Sequence, residues 1–425
     1  MRHAGRLVDV VVSSEAIVAC GPGAAAAFAV PDADCVDLGG WCALPAACEP
    51  HAHLDKAFLV ERTGPVHGDV RQAVQAVAAY YASASDDDLA DRARRAASLA
   101  LRHGVTALRS HVDVGGAIGF RALLALAALR AELAPVMDVQ LVALPIQPVS
   151  GPDGQLGRRV VEEAIALGAD VVGGGPWLDV APLQAVDELT AIAHANGRPL
   201  DLHVDETTDA SVLTLERLVH RVAQLGLEGR VTASHCVSLG ELEPGVADRL
   251  ARAVAEAGIA VVTLPQTNLY LQARTAASAR LRGIPPLGLL EAAGVSVAAG
   301  GDNWRDPFNP VGRVDPLETA SLLVSAGHVA PALAYAMVSE RARALLHLPA
   351  ASLRPGDAAD LLCVKASGVG EAVASGTEER IVVRRGRVVA RSELSISGAL
   401  WPEAGRGSAP PGGRGQLPPA RRDAT

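Results

Sequence analysis

Short apolar runs alternate with amphipathic or Ala-rich stretches, glycines close several of those stretches, and polar residues gather at the ends of the apolar runs. Together these three observations predict an α/β chain built as a closed (β/α)8 TIM-type barrel, with a small β-domain formed from both chain termini. Near-continuous apolar strands separated by helices require a parallel sheet covered on both faces. An open doubly wound sheet also meets that requirement. The barrel is preferred because polar residues sit at strand ends all round the cycle, which a barrel collects on one rim.

Taken in order, LVDVVVSSEAIVACGP near the N-terminus reads as a β-hairpin. Strand-like runs follow at 44–53, 105–114, 138–145, 170–177, 199–206, 231–237, 259–265 and 295–303. Helical patterns fill the intervals at 86–103, 121–134, 158–168, 183–196, 211–226, 242–257 and 286–293. Gly104, Gly168, Gly258 and Gly294 end four of them before the next strand, where a left-handed residue closes a helix. Beyond residue 350, PGDAADLLCVKA and EERIVVRRGRVVARSEL supply short strands around a Gly-Arg turn. Residues 1–47 with 350–398 are therefore expected to form one small β-sandwich-like domain, and 48–349 the barrel. The tail 402–425, rich in Pro, Gly and Arg without periodicity, reads as disordered.

The 425 residues are 49% apolar and 20% charged, enough for a large core and incompatible with global disorder. Thirty-eight Lys and Arg against 47 Asp and Glu leave a net charge of −9, which argues against nucleic acid or an anionic membrane as a partner held by bulk charge. Six scattered cysteines form no CxxC pair, so neither a disulfide framework nor a Cys-type zinc site is suggested. Asp9 and Glu15 interrupt what would be the apolar part of a signal peptide, and no apolar run reaches the ~18 residues of a spanning helix. A cytoplasmic setting is the expectation.

The strongest chemical signal is His51-Ala-His53 at the end of the first barrel strand. Residues i and i+2 of a strand face one side, so both imidazoles enter the same space. Burying them is expensive unless something binds their lone pairs. His203, His235 and Asp302 end three further strand runs on the same rim. Three His and one Asp form a ligand field suited to one divalent metal ion, Zn2+ or Fe2+. The bland alternative is a set of unrelated polar residues at loop starts. Glu206 follows His203 by three residues, placed to move protons beside the cation. It could equally be a helix N-terminal carboxylate, a part Asp205 or Asp209 could also play. The chain has only two lysines, Lys56 and Lys365, and none in runs 138–145 and 170–177. A lysine-bridged two-metal centre is therefore disfavoured.

The motifs EPHAHLDKAF (49–58), LRSHVD (108–113), LHVDET (202–207), VTASHC (231–236), LPQTNLYLQAR (264–274) and GGDNWRDPFNP (300–310) occur in an order that resembles the amidohydrolase superfamily and, within it, the cytosine deaminase-like branch. The resemblance implies that His51, His53, His203 and Asp302 hold the metal, with Asp302 also a base. It implies Glu206 as the proton shuttle and His235 as the group that orients water and the developing tetrahedral centre. Lys56 matches a lysine of related alkylamino-triazine hydrolases that serves substrate binding or activation; the alternative is a salt bridge to Asp55 or Asp113. Two departures concern substrate. Ile146 stands where cytosine deaminases place a glutamine, with Gln147 one residue on, and Asn303 replaces a second Asp. Phe308 matches an aromatic that lines the ring pocket. His111 is expected to line the site or to sit behind the ligands, Asn268 and Gln272 to touch substrate or hold their loop, and Cys236 to be a small buried residue. His67 is expected to be solvated or structural.

The expected function is hydrolytic deamination of an amino-substituted nitrogen heterocycle, cytosine-like or triazine, with water and this small molecule as the partners. Hydrolysis of an alkylamino, lactam or amide C–N bond at the same site is the alternative. A non-catalytic relative would show a missing ligand, and none of the four is missing. Relatives are often homo-oligomers, but the sequence carries no interface signal of its own.

Overall fold

The computed structural model describes residues 1–31, 34–64, 69–273 and 282–395. The proposed tail 402–425, the end of the segment 350–398, His67 and Arg274 lie outside the described residues. Eight parallel strands form the barrel: β1 (Ala47–Ala52), β2 (Val105–Val114), β3 (Asp138–Pro145), β4 (Val171–Gly174), β5 (Leu200–Val204), β6 (Val231–His235), β7 (Ala260–Thr263) and β8 (Val297–Ala299). Each pairs with its sequence neighbour, as right-handed crossovers through helices allow. The ring closes through one parallel bridge, Ala52 to Asp302, with Asp302 N donating to His51 O at 3.0 Å.

Strand parity explains both the core and the site. Leu202, Val204, Ala233, Val261 and Val297 pack outward against Leu189, Leu218, Val222 and Leu250 of the surrounding helices. The alternate positions are polar yet buried: Glu49 and His51 on β1, Arg109, His111 and Asp113 on β2, Asp201 and His203 on β5, Thr232 and Ser234 on β6. Period-two alternation in strands buried on both faces therefore places polar groups inside the barrel.

Helices cover the barrel where the sequence places them, from Asp86–Arg102 through Leu287–Ala292. Several helices lie outside the sequence reading, among them Pro316–Gly327, Pro331–Met337 and Glu340–Leu345 after the last strand, and Val70–Tyr81, whose face carries Arg71, Gln72 and Gln75. Its signal was present: Asp69 and Gln72 form a reciprocal capping box ahead of Val70, Ala73, Val77 and Tyr81, which are buried at helical spacing.

The run 44–53, read as one strand, is two. Cys42–Pro45 pairs antiparallel with Leu361–Val364 and parallel with Arg2–His3, and Ala47 then opens β1. The terminal segments form a six-stranded sheet, ordered 387–392, 380–384, 361–364, 42–45, 2–3 and 6–7, beside the hairpin Asp9–Ser13 with Ala16–Gly21. Arg380, fully buried, fastens the sheet to the barrel layer by a two-pronged ion pair to Asp315 at 2.8 and 2.7 Å. No described helix is long and apolar enough to cross a membrane.

Candidate metal centre and active site

The C-terminal ends of β1, β5, β6 and β8 bring His51, His53, His203, His235 and Asp302 together, all buried. His51 Nε2 lies 3.6 Å and His53 Nε2 3.2 Å from Asp302 Oδ1, and His53 Nε2 lies 3.4 Å from His203 Nε2. A tetrahedral centre with bonds of ~2.0–2.2 Å has ligand–ligand edges of about 3.3–3.6 Å, so these separations fit one small cation. Burial and mutual repulsion hold His51, His53 and His203 well below the usual imidazole range, leaving neutral rings with lone pairs to offer. Burial and the nearby Glu206 carboxyl push Asp302 well up. Among the described residues, Asp302 Oδ1 and His51 Nε2 have no hydrogen-bond partner. A cation would satisfy both and relieve the crowding of acids, so the donor set fits a divalent metal.

Hydrogen bonds fix the tautomers. Ser234 Oγ donates to Asp201 Oδ1 at 2.9 Å and so accepts from His51 Nδ1, also at 2.9 Å. That leaves the His51 lone pair on Nε2, facing the cluster. Arg109 Nη1 anchors Asp201 at 2.8 Å, and Asp201 stays below the usual carboxylate range through the neighbouring His111 and Arg109. His51, His235 and Asp302 also form a ligand-sized triad. However, Asn268 Nδ2 donates to His235 Nδ1 at 3.0 Å, which puts the His235 proton on Nε2. Nε2 is buried without a partner among the described residues. His235 is thus arranged as a hydrogen-bond donor rather than a ligand.

Glu206 is buried, 3.7 Å from His235 through Oε1, and burial pushes its carboxyl up to about 8. Asp205, not Glu206, caps the helix Thr214–Leu225, accepting from Thr214 N at 2.8 Å and Leu215 N at 3.1 Å. Glu206 is thereby left free at the site. Asp205, His235, Cys236 and Asp302 all have positive φ, so backbone strain gathers where the side chains must be aimed.

Glu49 ties the seam together: Oε1 accepts from His51 N at 3.1 Å and Oε2 from Gly301 N at 2.9 Å. A Cβ on Gly300 would come within 2.2 Å of Glu49 Oε1, so glycine is required there.

A cavity of about 390 Å³ opens over the cluster, lined by His53, Lys56, His203, Glu206, His235, Asp302 and, among the substrate candidates, Ile146, Gln147, Asn303 and Phe308. Lys56 makes the salt bridge that the sequence offered as the alternative. Nζ bonds Asp113 at 2.6 Å and Asp55 at 3.3 Å, and the residue still faces the cavity. Tyr81 OH lies 3.1 Å from Asp55 and 3.0 Å from Asp113, so the uncharted helix braces this clamp. Asn303 is committed elsewhere, its amide donating to Asp306 at 2.7 Å and its Oδ1 accepting from Thr267 at 3.2 Å. His111 is not among the lining side chains; it is buried, stacked on His51 with ring centroids 3.9 Å apart. Gln272 donates to the Glu206 carbonyl, and Cys236 is fully buried with its thiol pushed well up by burial. Sequence reasoning gave no role to Glu49, Asp201 or Ser234, although alternation within buried strands marks all three as inward-facing, nor to Trp177, which also lines the cavity.

Residues 61–390 match the profile of the Amidohydrolase family. The chain is 32% identical over 391 residues to a pterin deaminase of Rhizobium rhizogenes, covering 90% of this chain and 88% of that protein. Its fold is similar to 5-methylcytosine deaminase of Klebsiella pneumoniae, with a TM-score of 0.83, 27% identity, and 92% and 96% of the two chains covered. It is also similar to N-isopropylammelide isopropylaminohydrolase of Burkholderia multivorans, with a TM-score of 0.76, 30% identity, and 90% and 95% covered.

Proposed function

Since the chain belongs to the amidohydrolase family, we propose that it is a metal-dependent hydrolase that deaminates an amino-substituted nitrogen heterocycle, with His51, His53, His203 and Asp302 holding one divalent cation. The observation that carries the reading is the four-residue cluster at cation spacing on the floor of a cavity that also presents Glu206. Three imidazoles and one carboxylate favour Zn2+ or Fe2+. Such a cation supplies a Lewis acid that makes water nucleophilic near neutral pH.

The remaining steps belong to the protein. Water oxygen bonds to the ring carbon bearing the amine, and the C–N bond breaks to release ammonia. Glu206 moves the first proton of the water to the ring nitrogen, and a second, given up as the new hydroxyl becomes a carbonyl, passes to the departing amine. Its raised proton affinity suits that exchange at neutral pH. The His235 Nε2 proton donates to the oxygen as charge develops on it. Lys56, fixed by Asp113, supplies a cationic donor at the wall. The net charge of −9 supports a small-molecule substrate rather than nucleic acid, and the free thiols support a cytoplasmic setting.

The test is ammonia release from a panel of amino heterocycles by the metal-loaded chain, beside Glu206→Gln. The variant is expected to bind metal as wild type does and to lose ~10²–10⁴-fold in kcat. Wild-type silence across the panel with metal bound would refute deamination. An alkylamine or a new carboxylate as product would assign the same site to alkylamino, lactam or amide hydrolysis.

A further inference from the structure

Lys56 has one N–H more than its partners use. An ammonium carries three donors. Among the described residues Nζ meets two acceptors, Asp113 Oδ1 at 2.6 Å and Asp55 Oδ2 at 3.3 Å, and the side chain that keeps the third N–H lines the cavity. Burial acts to lower its proton affinity, but Asp113 and Asp55 outweigh that and raise it, so the amine stays charged. Both carboxylates are buried and share this one cation, and like charges so placed repel. Buried Tyr81 stands between them, its hydroxyl 3.1 Å from Asp55 Oδ2 and 3.0 Å from Asp113 Oδ2. One phenolic proton thus faces two carboxylate oxygens and offsets their repulsion. Asp55 Oδ2 also accepts from Asp113 N at 3.0 Å, while Asp55 Oδ1 is buried without a partner among the described residues. Every described donor to the Asp55 carboxylate therefore meets a single oxygen, and loss of one frees the group to turn.

The same helix end grips the Lys56 segment in a second way. Tyr80 OH accepts from Arg92 Nη2 at 3.3 Å, and Arg92 Nη1 donates to the carbonyls of Asp55 at 2.9 Å and Ala57 at 2.7 Å, on either side of Lys56. We propose that Tyr81 is a positioning residue: by bridging Asp55 and Asp113 it holds Lys56 Nζ so that the third N–H points at the substrate. The proposal rests on the deamination reading for that substrate and adds a residue to it. A ring that merely filled space would be served equally by Phe, which can bond neither carboxylate. Helix Val70–Tyr81 then has two tasks, since its last turn aims Lys56 while Val74, Val77 and Ala78 line the cavity.

Two measurements test it. The chain has only two lysines, so protein grown with lysine isotope-labelled at Cε gives two methylene signals, assigned by Lys365→Arg. A side chain held in one rotamer shows separate Hε resonances, and one that averages over rotamers shows them merged. The Lys56 resonances are expected to be separate in wild type and merged in Tyr81→Phe. Merged signals in wild type, or separate signals in both proteins, overturn the proposal; the first outcome needs no variant and stands even if Tyr81→Phe folds poorly. The second measurement is a double-mutant cycle on ammonia release from the amino-heterocycle panel, cytosine and pterin included, by the metal-loaded full chain. Tyr81→Phe should raise KM roughly tenfold and leave kcat within about threefold. Lys56→Met should cost more, and adding Tyr81→Phe to it should change kcat/KM by no more than about twofold, because Tyr81 acts through Lys56. A Tyr81→Phe loss that persists in full without Lys56 leaves Tyr81 a structural role alone and overturns the proposal. Silence of wild type across the panel, with metal bound, overturns the deamination reading and removes the substrate contact, while the lysine signals still decide whether Tyr81 places Nζ.

Discussion

Ser234→Ala tests how the cluster is prepared for a cation. The hydroxyl is fully buried between His51 Nδ1 and Asp201 Oδ1, 2.9 Å from each. Its removal deletes one bond to a carboxylate and the acceptor that keeps the His51 proton on Nδ1. Asp201 retains Arg109 at 2.8 Å, so the charge beneath the site stays paired and the fold should survive. His51 becomes free to exchange tautomers and to rotate. Losing an outer partner of this kind costs ~10–100-fold in metal affinity, about 1.4–2.7 kcal/mol. The assay is metal competition against a chromogenic chelator at neutral pH, with circular dichroism as the check on folding. Ser238→Ala is the control, because that hydroxyl is buried nearby but donates to the Thr207 carbonyl at 2.8 Å and meets no cluster residue. A folded Ser234→Ala protein that binds metal within twofold of wild type would show that the Asp201–Ser234–His51 chain does not set the ligand.

Two further outcomes concern stability. Asp315→Ala strands the buried Arg380 guanidinium and also removes the carboxylate that caps the helix Pro316–Gly327, so a loss of ~3–5 kcal/mol is expected in denaturant titration, and less than 1 kcal/mol would refute the role of this pair. Asp88 is held down at about 2 by hydrogen bonds from Arg92, Tyr80 and Arg62, which outweigh partial burial that acts to raise it. A lowered native value stabilises the fold above the ordinary value of 3.8, and that contribution disappears as pH falls towards 2. The Tm gap between wild type and Asp88→Asn should therefore be present at pH 7 and close below pH 3; a gap that widens on acidification contradicts the sign.

Much of the architecture is legible locally because buried parallel strands leave unbroken apolar runs. The bounds of β2 and β3 follow directly from runs 105–114 and 138–145. The division of 44–53 is not legible, because the partner of Cys42–Pro45 is Leu361–Val364, more than 300 residues away, and no short-range pattern announces such a pairing. At the site, the positions of His51, His53, His203 and Asp302 were readable from their place at strand ends. The tautomers of His51 and His235 were not, since those depend on Ser234 and Asn268, whose hydrogen bonds form only when separate strands and loops meet. Trp177 was hidden for another reason: its run reads as strand, but the chain leaves the sheet after Gly174 and turns the indole towards the cavity.

The single bridge from Ala52 to Asp302 has a consequence for the order in which the molecule becomes complete. Beside that bridge, the first and last staves of the barrel are joined by Glu49, which accepts from Gly301 N, by the cluster itself, and by the small buried patch of Cys48 and Ala298. A growing chain displays His51, His53 and His203 long before the carboxylate of Asp302 arrives, so a tight binding place arises only when the hoop shuts. A guest that favours the shut form lends it ~2.7 kcal/mol at a hundred times its Kd. On the proposed ligand set, metal loading would act as a clasp between the two halves of the polypeptide, and a truncated product ending before residue 302 would have nothing for the clasp to grip.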